Sequence, residues 1–187
     1  TNAGGIKVIR YGMTRSWVTG MKVVTGRGDL LDLNRGLTKN ATGYDFRHLF
    51  IGSEGTLGIV VELTMALSAP PQDPAVLILG VKDMTQTMPV LEVFQNKLSL
   101  TAFEFFSEQA LRHVIAGKNL ARPFETASNF YALLEFEQRG EEDLEDAMAL
   151  FEHCLEQGWI VDGTISQSLT QAESPVSYPH LRAQETG

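Results

Sequence analysis

Cysteine is almost absent: Cys154 stands alone in 187 residues. No intrachain disulfide can form, and a cysteine metal cluster is excluded. Its helical spacing beside Phe151 and Leu155 predicts a small buried hydrophobe rather than a reactive thiol. Long apolar runs are lacking as well. Nothing approaches the roughly 18 residues of a membrane-spanning helix, and the stretch 75–81 has only strand length. Cations are in deficit, with 15 Lys and Arg against 23 Asp and Glu and a formal net charge of −8. That balance argues against a nucleic-acid groove or an anionic membrane surface as the main partner. The chain opens on Thr1 without Met, a basic segment or an apolar targeting run, so it reads as a piece of something longer.

What is present is enough apolar content, 43%, for one large domain or two small ones. Pro70, Pro71, Asp73 and Pro74 remove donors and favour extended backbone, which predicts a linker over 70–74. The first half then covers 1–69 and the second 75–173.

Within the first half, residues 39–61 carry Gly52, Gly55 and Gly58 at every third position, followed by a β-branched run. Glycines so spaced let successive backbone N–H groups face one concavity that suits anionic oxygens. No Lys or Arg lies between Gly52 and Gly58, so a phosphate there would be held by amides. A tight turn feeding a strand fits the same spacing. Glu54, between two glycines, is expected to brace the loop by accepting hydrogen bonds from nearby N–H groups. Tyr44 is either a cofactor-lining ring or a core tyrosine. Asp45 is expected to cap a short helix with Phe46, Leu49 and Phe50 on one face, and His48 to be solvated or capping. Strands are expected over 17–24 and 29–33, joined at the glycines of 26–28. A further strand over 59–67 should be half-buried, with Glu62 and Thr64 opposite Val61 and Leu63.

The second half alternates strand and helix. A strand over 75–81 should be covered on both faces. A helix beginning near Thr87 would hold Pro89 in its first turn. A strand over 101–106 leads to Ser107, which would cap a helix bearing Leu111, Val114 and Ile115 and ending at Gly117. The strand 130–136 should turn Phe130, Ala132, Leu134 and Phe136 inward. Leu144, Ala147, Met148, Phe151 and Leu155 mark one face of a long helix ending at Gly158, before a last strand over 159–165. This order, β-α-β, an extra helix, then β-α-β, is a ferredoxin-like α+β sandwich with an insertion. Glu104 could face a pocket or be a satisfied sheet carboxylate. His113 and His153 have no second ligand at metal spacing.

Three separated motifs, Thr1-Asn-Ala-Gly-Gly5, Thr42-Gly-Tyr-Asp45 and Gly52-Ser-Glu-Gly-Thr-Leu-Gly-Ile59, together resemble FAD-linked oxidases of the vanillyl-alcohol-oxidase (PCMH-type) class. Within that class the resemblance is to the D-lactate, glycolate and D-2-hydroxyglutarate dehydrogenases, and it covers residues 1–173. It implies the later half of a PCMH-type FAD-binding domain followed by an incomplete α+β substrate domain. It carries over Asn2, Ala3, Gly4, Gly5, Tyr44, Gly52, Glu54, Gly55, Gly58 and Ile59 as FAD contacts. The implied chemistry is hydride transfer from a D-2-hydroxy acid to flavin, with a quinone, flavoprotein or cytochrome as electron acceptor. No residue of this stretch is named as the base. The implied place is cytoplasmic or membrane-peripheral in a bacterium, mitochondrial in a eukaryote. The resembling enzymes also have an upstream pyrophosphate loop and a later segment with metal-binding and catalytic histidines. Neither is in this sequence, so the resemblance allows a divalent metal in the parent whose ligands are not here. Residues 174–187 fit neither the family pattern nor a helix and read as a foreign end, so His180 and Arg182 are given no role. The remaining alternatives are a flavin oxidoreductase of the same fold with another substrate, and a non-catalytic α+β binding module.

Overall fold

Val18, Met21 and Val23 lie on a strand rich in β-branched residues, and all three are buried. They belong to β1 (Val18–Thr25), the middle of a three-stranded antiparallel sheet with β2 (Leu30–Leu33) on one side and β3 (Gly58–Met65) on the other. The computed structural model describes residues 1–33, 37 and 39–166, in two compact units, Thr1–Pro70 and Pro71–Gly187. The β1–β2 hairpin closes with Gly28 at φ +86 and Thr25 N donating to Asp29 O at 3.0 Å. Before it come a single helical turn, α1 (Val8–Tyr11), and a 3₁₀ turn, Thr14–Ser16, neither signalled by hydrophobic periodicity. The core of this unit is small: Val18, Met21 and Val23 of β1 meet Phe50 and Ile51 at the end of α2 (Arg47–Phe50).

Two expectations for this unit are corrected. Phe46 and Leu49 are exposed, and only Phe50 of the expected helix face is buried, because one helical turn can present only one residue to β1. β3 is not half-buried. Every residue from Ile59 to Met65 is exposed, apolar and polar alike. It is the outer strand of its sheet, paired only with β1, and no described helix of its own unit packs along it.

The second unit is built differently. β4 (Pro74–Val81), β5 (Leu100–Ser107), β6 (Phe130–Glu137) and β7 (Ile160–Ser166) form an antiparallel sheet in the order β5-β6-β4-β7. With α3 (Thr87–Lys97) between β4 and β5 and α5 (Glu141–Glu156) between β6 and β7, this is the ferredoxin-like order. α4 (Glu108–Lys118) is the insertion. Its Leu111 and Val114 pack with Val76, Ile78, Phe106, Tyr131 and Leu133 on one face of the sheet. α5 lies over the other face: a Cβ added at Gly163 would meet Phe151 of α5 at 2.7 Å and Leu79 of β4 at 2.9 Å. Helices on both faces explain why β4 is buried along its whole apolar run.

The same coverage corrects the reading of β6. Tyr131, Leu133 and Glu135, expected on an outer face, are as buried as Ala132, Leu134 and Phe136, because α4 and the strand β5 shield that side. Glu135 accepts a short hydrogen bond from Thr101 Oγ1. Ser107 caps α4, its Oγ accepting from Ala110 N at 3.3 Å. The helix runs past Gly117, however, and Asn119 at φ 52 supplies the left-handed cap. In α5 the buried line is Ala147 and Cys154, while Met148 and Leu155 are exposed. Burial pushes the Cys154 thiol up to about 11, so it packs as a small hydrophobe. The expectations for residues 167–187 lie outside the described residues.

Candidate functional site

The glycine stretch forms a tight turn. Thr56 N donates to Ser53 O at 3.0 Å, and the two residues between, Glu54 and Gly55, both have positive φ, 52 and 81. That backbone pattern is one that glycine adopts without steric cost and a glutamate only with some. Gly52 precedes it at φ +91. The amides of Glu54 and Gly55 donate to no described residue, and a Cβ built at Gly55 would meet nothing within 4 Å. The turn therefore presents two unused donors to open space.

Glu54 does not brace the loop as expected. The left-handed backbone turns its side chain outward, and its carboxylate accepts no hydrogen bond from a described residue. The brace is Thr56, whose Oγ1 also donates to Ser53 O at 2.7 Å. Gly58 is required for another reason than a permissive φ. It lies in β3, where a Cβ would sit 2.7 Å from Val23 Cγ1 and 2.8 Å from Val24 O. Ile59 beside it is exposed. Tyr44 is 88% exposed, its ring edge-on to Phe46 at 6.3 Å, so it is not a core tyrosine.

The first loop comes to the same place by a route that the sequence did not signal. Asn2, at φ 117, accepts on Oδ1 from Arg15 N at 2.8 Å. Ala3 O accepts from Thr14 N at 3.2 Å and from Thr14 Oγ1 at 2.6 Å. The Arg15 guanidinium then donates to His48 O at 3.1 Å and to Ile51 O at 2.9 Å, the second being the carbonyl just before Gly52. A Cβ built at Gly52 would lie 3.6 Å from Asn2 Cβ. Asn2 and Gly52 are thus neighbours across fifty positions of sequence. Gly4 is packed, since a Cβ there would meet Met13 Sδ at 2.7 Å and Val8 Cγ2 at 2.9 Å, whereas Gly5 faces open space.

A second arginine anchors the short helix. Arg47 Nε and Nη2 donate to the two oxygens of Asp45 at 2.9 and 2.6 Å, and Nη1 donates to Val18 O at 2.6 Å. The forked hydrogen bond from Arg47 holds the Asp45 carboxyl below its usual range. His48 Nε2 lies 3.3 Å from Asp45 Oδ2, in keeping with a half-exposed local contact. The unit carries eight Lys and Arg against five Asp and Glu, a formal +3, while the second unit carries seven against eighteen, a formal −11. The overall acidity thus conceals a basic unit, and it is the one with the glycine turn.

These residues fit a diphosphate-bearing cofactor: unused amides on a left-handed turn, space in front of them, and an adjacent guanidinium. In the second unit the polar cluster is internal. Glu108 accepts from Arg122 Nη1 and Nη2 at 3.0 and 2.9 Å, from Tyr131 OH at 2.7 Å and from Arg112 Nε at 2.7 Å. The Arg122 fork leads the causes that hold Glu108 down at about 2. This cluster ties α4 to β6 and is scaffold. Among the described residues no three His, Cys, Asp or Glu side chains are grouped to hold a metal ion, and no helix is long and apolar enough to cross a membrane.

Comparison with known proteins gives a consistent picture. The family described as FAD linked oxidases, C-terminal domain, matches residues 70–182. D-2-hydroxyglutarate dehydrogenase of Stutzerimonas stutzeri is 63% identical over 174 residues, covering 93% of this chain and 38% of the relative. The mitochondrial D-2-hydroxyglutarate dehydrogenase of Arabidopsis thaliana is 36% identical, covering 93% of this chain and 32% of the relative. The chain thus spans little more than a third of the first of these relatives. Among solved structures, an alkyldihydroxyacetonephosphate synthase superposes with a TM-score of 0.60 over 95% of this chain and 35% of its own, at 20% identity. That likeness concerns the fold.

Proposed function

The chain belongs to the FAD-linked oxidases, and on that premise we propose that the whole protein oxidises a D-2-hydroxy acid, with D-2-hydroxyglutarate as the first substrate to test, passing a hydride to FAD. Thr1–Pro70 would be the later half of its FAD-binding domain and the α+β unit its substrate domain. The observation that carries the flavin part is the meeting of the Asn2 loop with the Gly52 turn. The substrate part rests on the names of the two dehydrogenase relatives.

In this reading the amides of Glu54 and Gly55 donate to the diphosphate, and the backbone of Gly58 and Ile59 runs beside the adenosine end. Asn2, Ala3, Gly4 and Gly5 approach from the other loop, and Tyr44 offers its exposed ring. Backbone donors fixed by Thr56 and Arg15 need no rearrangement when an anion arrives, which favours binding through preorganisation. The flavin, when bound, supplies the hydride acceptor. The protein would pass electrons on to a quinone, a flavoprotein or a cytochrome.

The test is anaerobic titration of the purified whole protein with D-2-hydroxyglutarate, D-lactate, glycolate and their L counterparts where these exist. Loss of flavin absorbance with D-2-hydroxyglutarate before the others is expected. A protein without flavin, or one reduced only by an unrelated alcohol, contradicts the proposal.

A further inference from the structure

We infer that Arg15 is the positioning residue of the diphosphate site: it brackets the Asn2 loop and the Gly52 turn together and gives their junction its positive charge. The inference rests on the flavin reading above and adds to it a residue outside the three glycine-bearing motifs.

Five hydrogen bonds carry it. Arg15 N fixes Asn2 Oδ1, its neighbour Thr14 fixes Ala3 O twice, and the guanidinium grips His48 O and Ile51 O. All the guanidinium acceptors are neutral carbonyls, and among the described residues no carboxylate pairs with it. Arg47 and Arg122 differ in this respect, since Arg47 is neutralised by Asp45 and Arg122 by Glu108. An arginine held by carbonyls keeps its full charge for a third group. Its Nη2 lies 3.8 Å from where a Cβ of residue 52 would stand, so that charge is delivered at the mouth of the glycine turn. Asn2 has the strained φ of 117, and a residue in that region persists where its surroundings over-determine it. Arg15 N is such a restraint. A lysine would keep the charge but could not fork to two carbonyls.

The experiment uses the whole flavoprotein with Arg15→Lys and Arg15→Ala. After flavin removal, FAD and lumiflavin, which lacks the diphosphate, are titrated separately by fluorescence, and the apoproteins are melted. Both variants should lose roughly tenfold or more in FAD affinity, Arg15→Ala more than Arg15→Lys. Lumiflavin affinity and the melting of the apoprotein should stay close to wild type. Millimolar free guanidinium should restore part of the FAD affinity of Arg15→Ala. FAD affinity within twofold of wild type in both variants overturns the inference, as does equal loss of lumiflavin. Apoproteins that fail to fold overturn it too, by assigning Arg15 to the fold. A wild-type protein that binds no FAD removes the underlying reading as well, so the two failures are told apart.

Discussion

β3 and β4 are both eight-residue strands rich in Ile, Val and Leu, yet one is exposed from Ile59 onward and the other is buried along its apolar run. β4 has partners on both edges, β6 and β7, and helices on both faces. β3 pairs with β1 alone. Composition sets how much apolar surface a strand offers; the number of neighbours decides whether that surface leaves water. The second unit is closed on itself, with polar groups such as Glu108 and Tyr131 engaged internally. The first unit is open, with apolar strand faces and unused turn amides directed outward. Outside its small core on β1, it is held by its arginine brackets.

If the second unit is closed as described, the largest effect comes from emptying its centre. Phe136 is fully buried, and Phe136→Ala should cost about 3–5 kcal/mol in denaturant melts. An unchanged melt would mean that the sheet does not bury this face. In the open unit the sensitive position is a glycine rather than an aromatic. Gly58→Val drives a side chain against Val24 O and should cost roughly 1–3 kcal/mol, whereas Gly55→Val, at φ +81 with free space, should act on flavin retention in the whole protein through its backbone conformation. Equal effects of the two on the stability of the first unit would erase that distinction.

Acid offers a smaller, signed test. The Glu108 carboxyl is lowered from its ordinary 4.5 to about 2, first by Arg122. A lowered carboxyl contributes stability above its ordinary value and loses it as pH falls through the folded one. The second unit should therefore lose about 1–2 kcal/mol between pH 4.5 and 2, a figure reduced for the exposure of both arginines. Glu108→Gln should be less stable at pH 7 and should flatten that decline. A decline of the same depth in the variant would assign it to other carboxylates. At the low end, Val61→Ser on the open strand should change the stability of this chain by less than about 0.5 kcal/mol.

Much of this contrast was legible in the sequence, and the misses have physical causes. The α+β unit was readable because its periodicities are long: the apolar run of β4, the capping Ser107, and the inward Ala132, Leu134 and Phe136 of β6, while Phe130 at the strand's start is only half-buried. The burial of Tyr131 and Glu135 was not readable, because it depends on where α4 lands rather than on β6. On the other side, Gly52 and Gly55 were marked by their spacing. Arg15 was missed because its partners are backbone carbonyls, which leave no residue type behind. A basic residue a dozen positions after a glycine loop is too common a pattern to single out. The charge split between the units was readable in principle by counting each side of the proline linker.

Amide hydrogen exchange on this chain, resolved by peptide mass spectrometry, tests the contrast between closed and open units most directly. Amides of β4 and β6 should exchange slowest, while those of β3 that face its unpaired edge, and those of residues 52–57, exchange orders of magnitude faster. Protection of β3 equal to that of β4 would contradict the account, since within its own unit β3 is an edge strand paired with β1 alone.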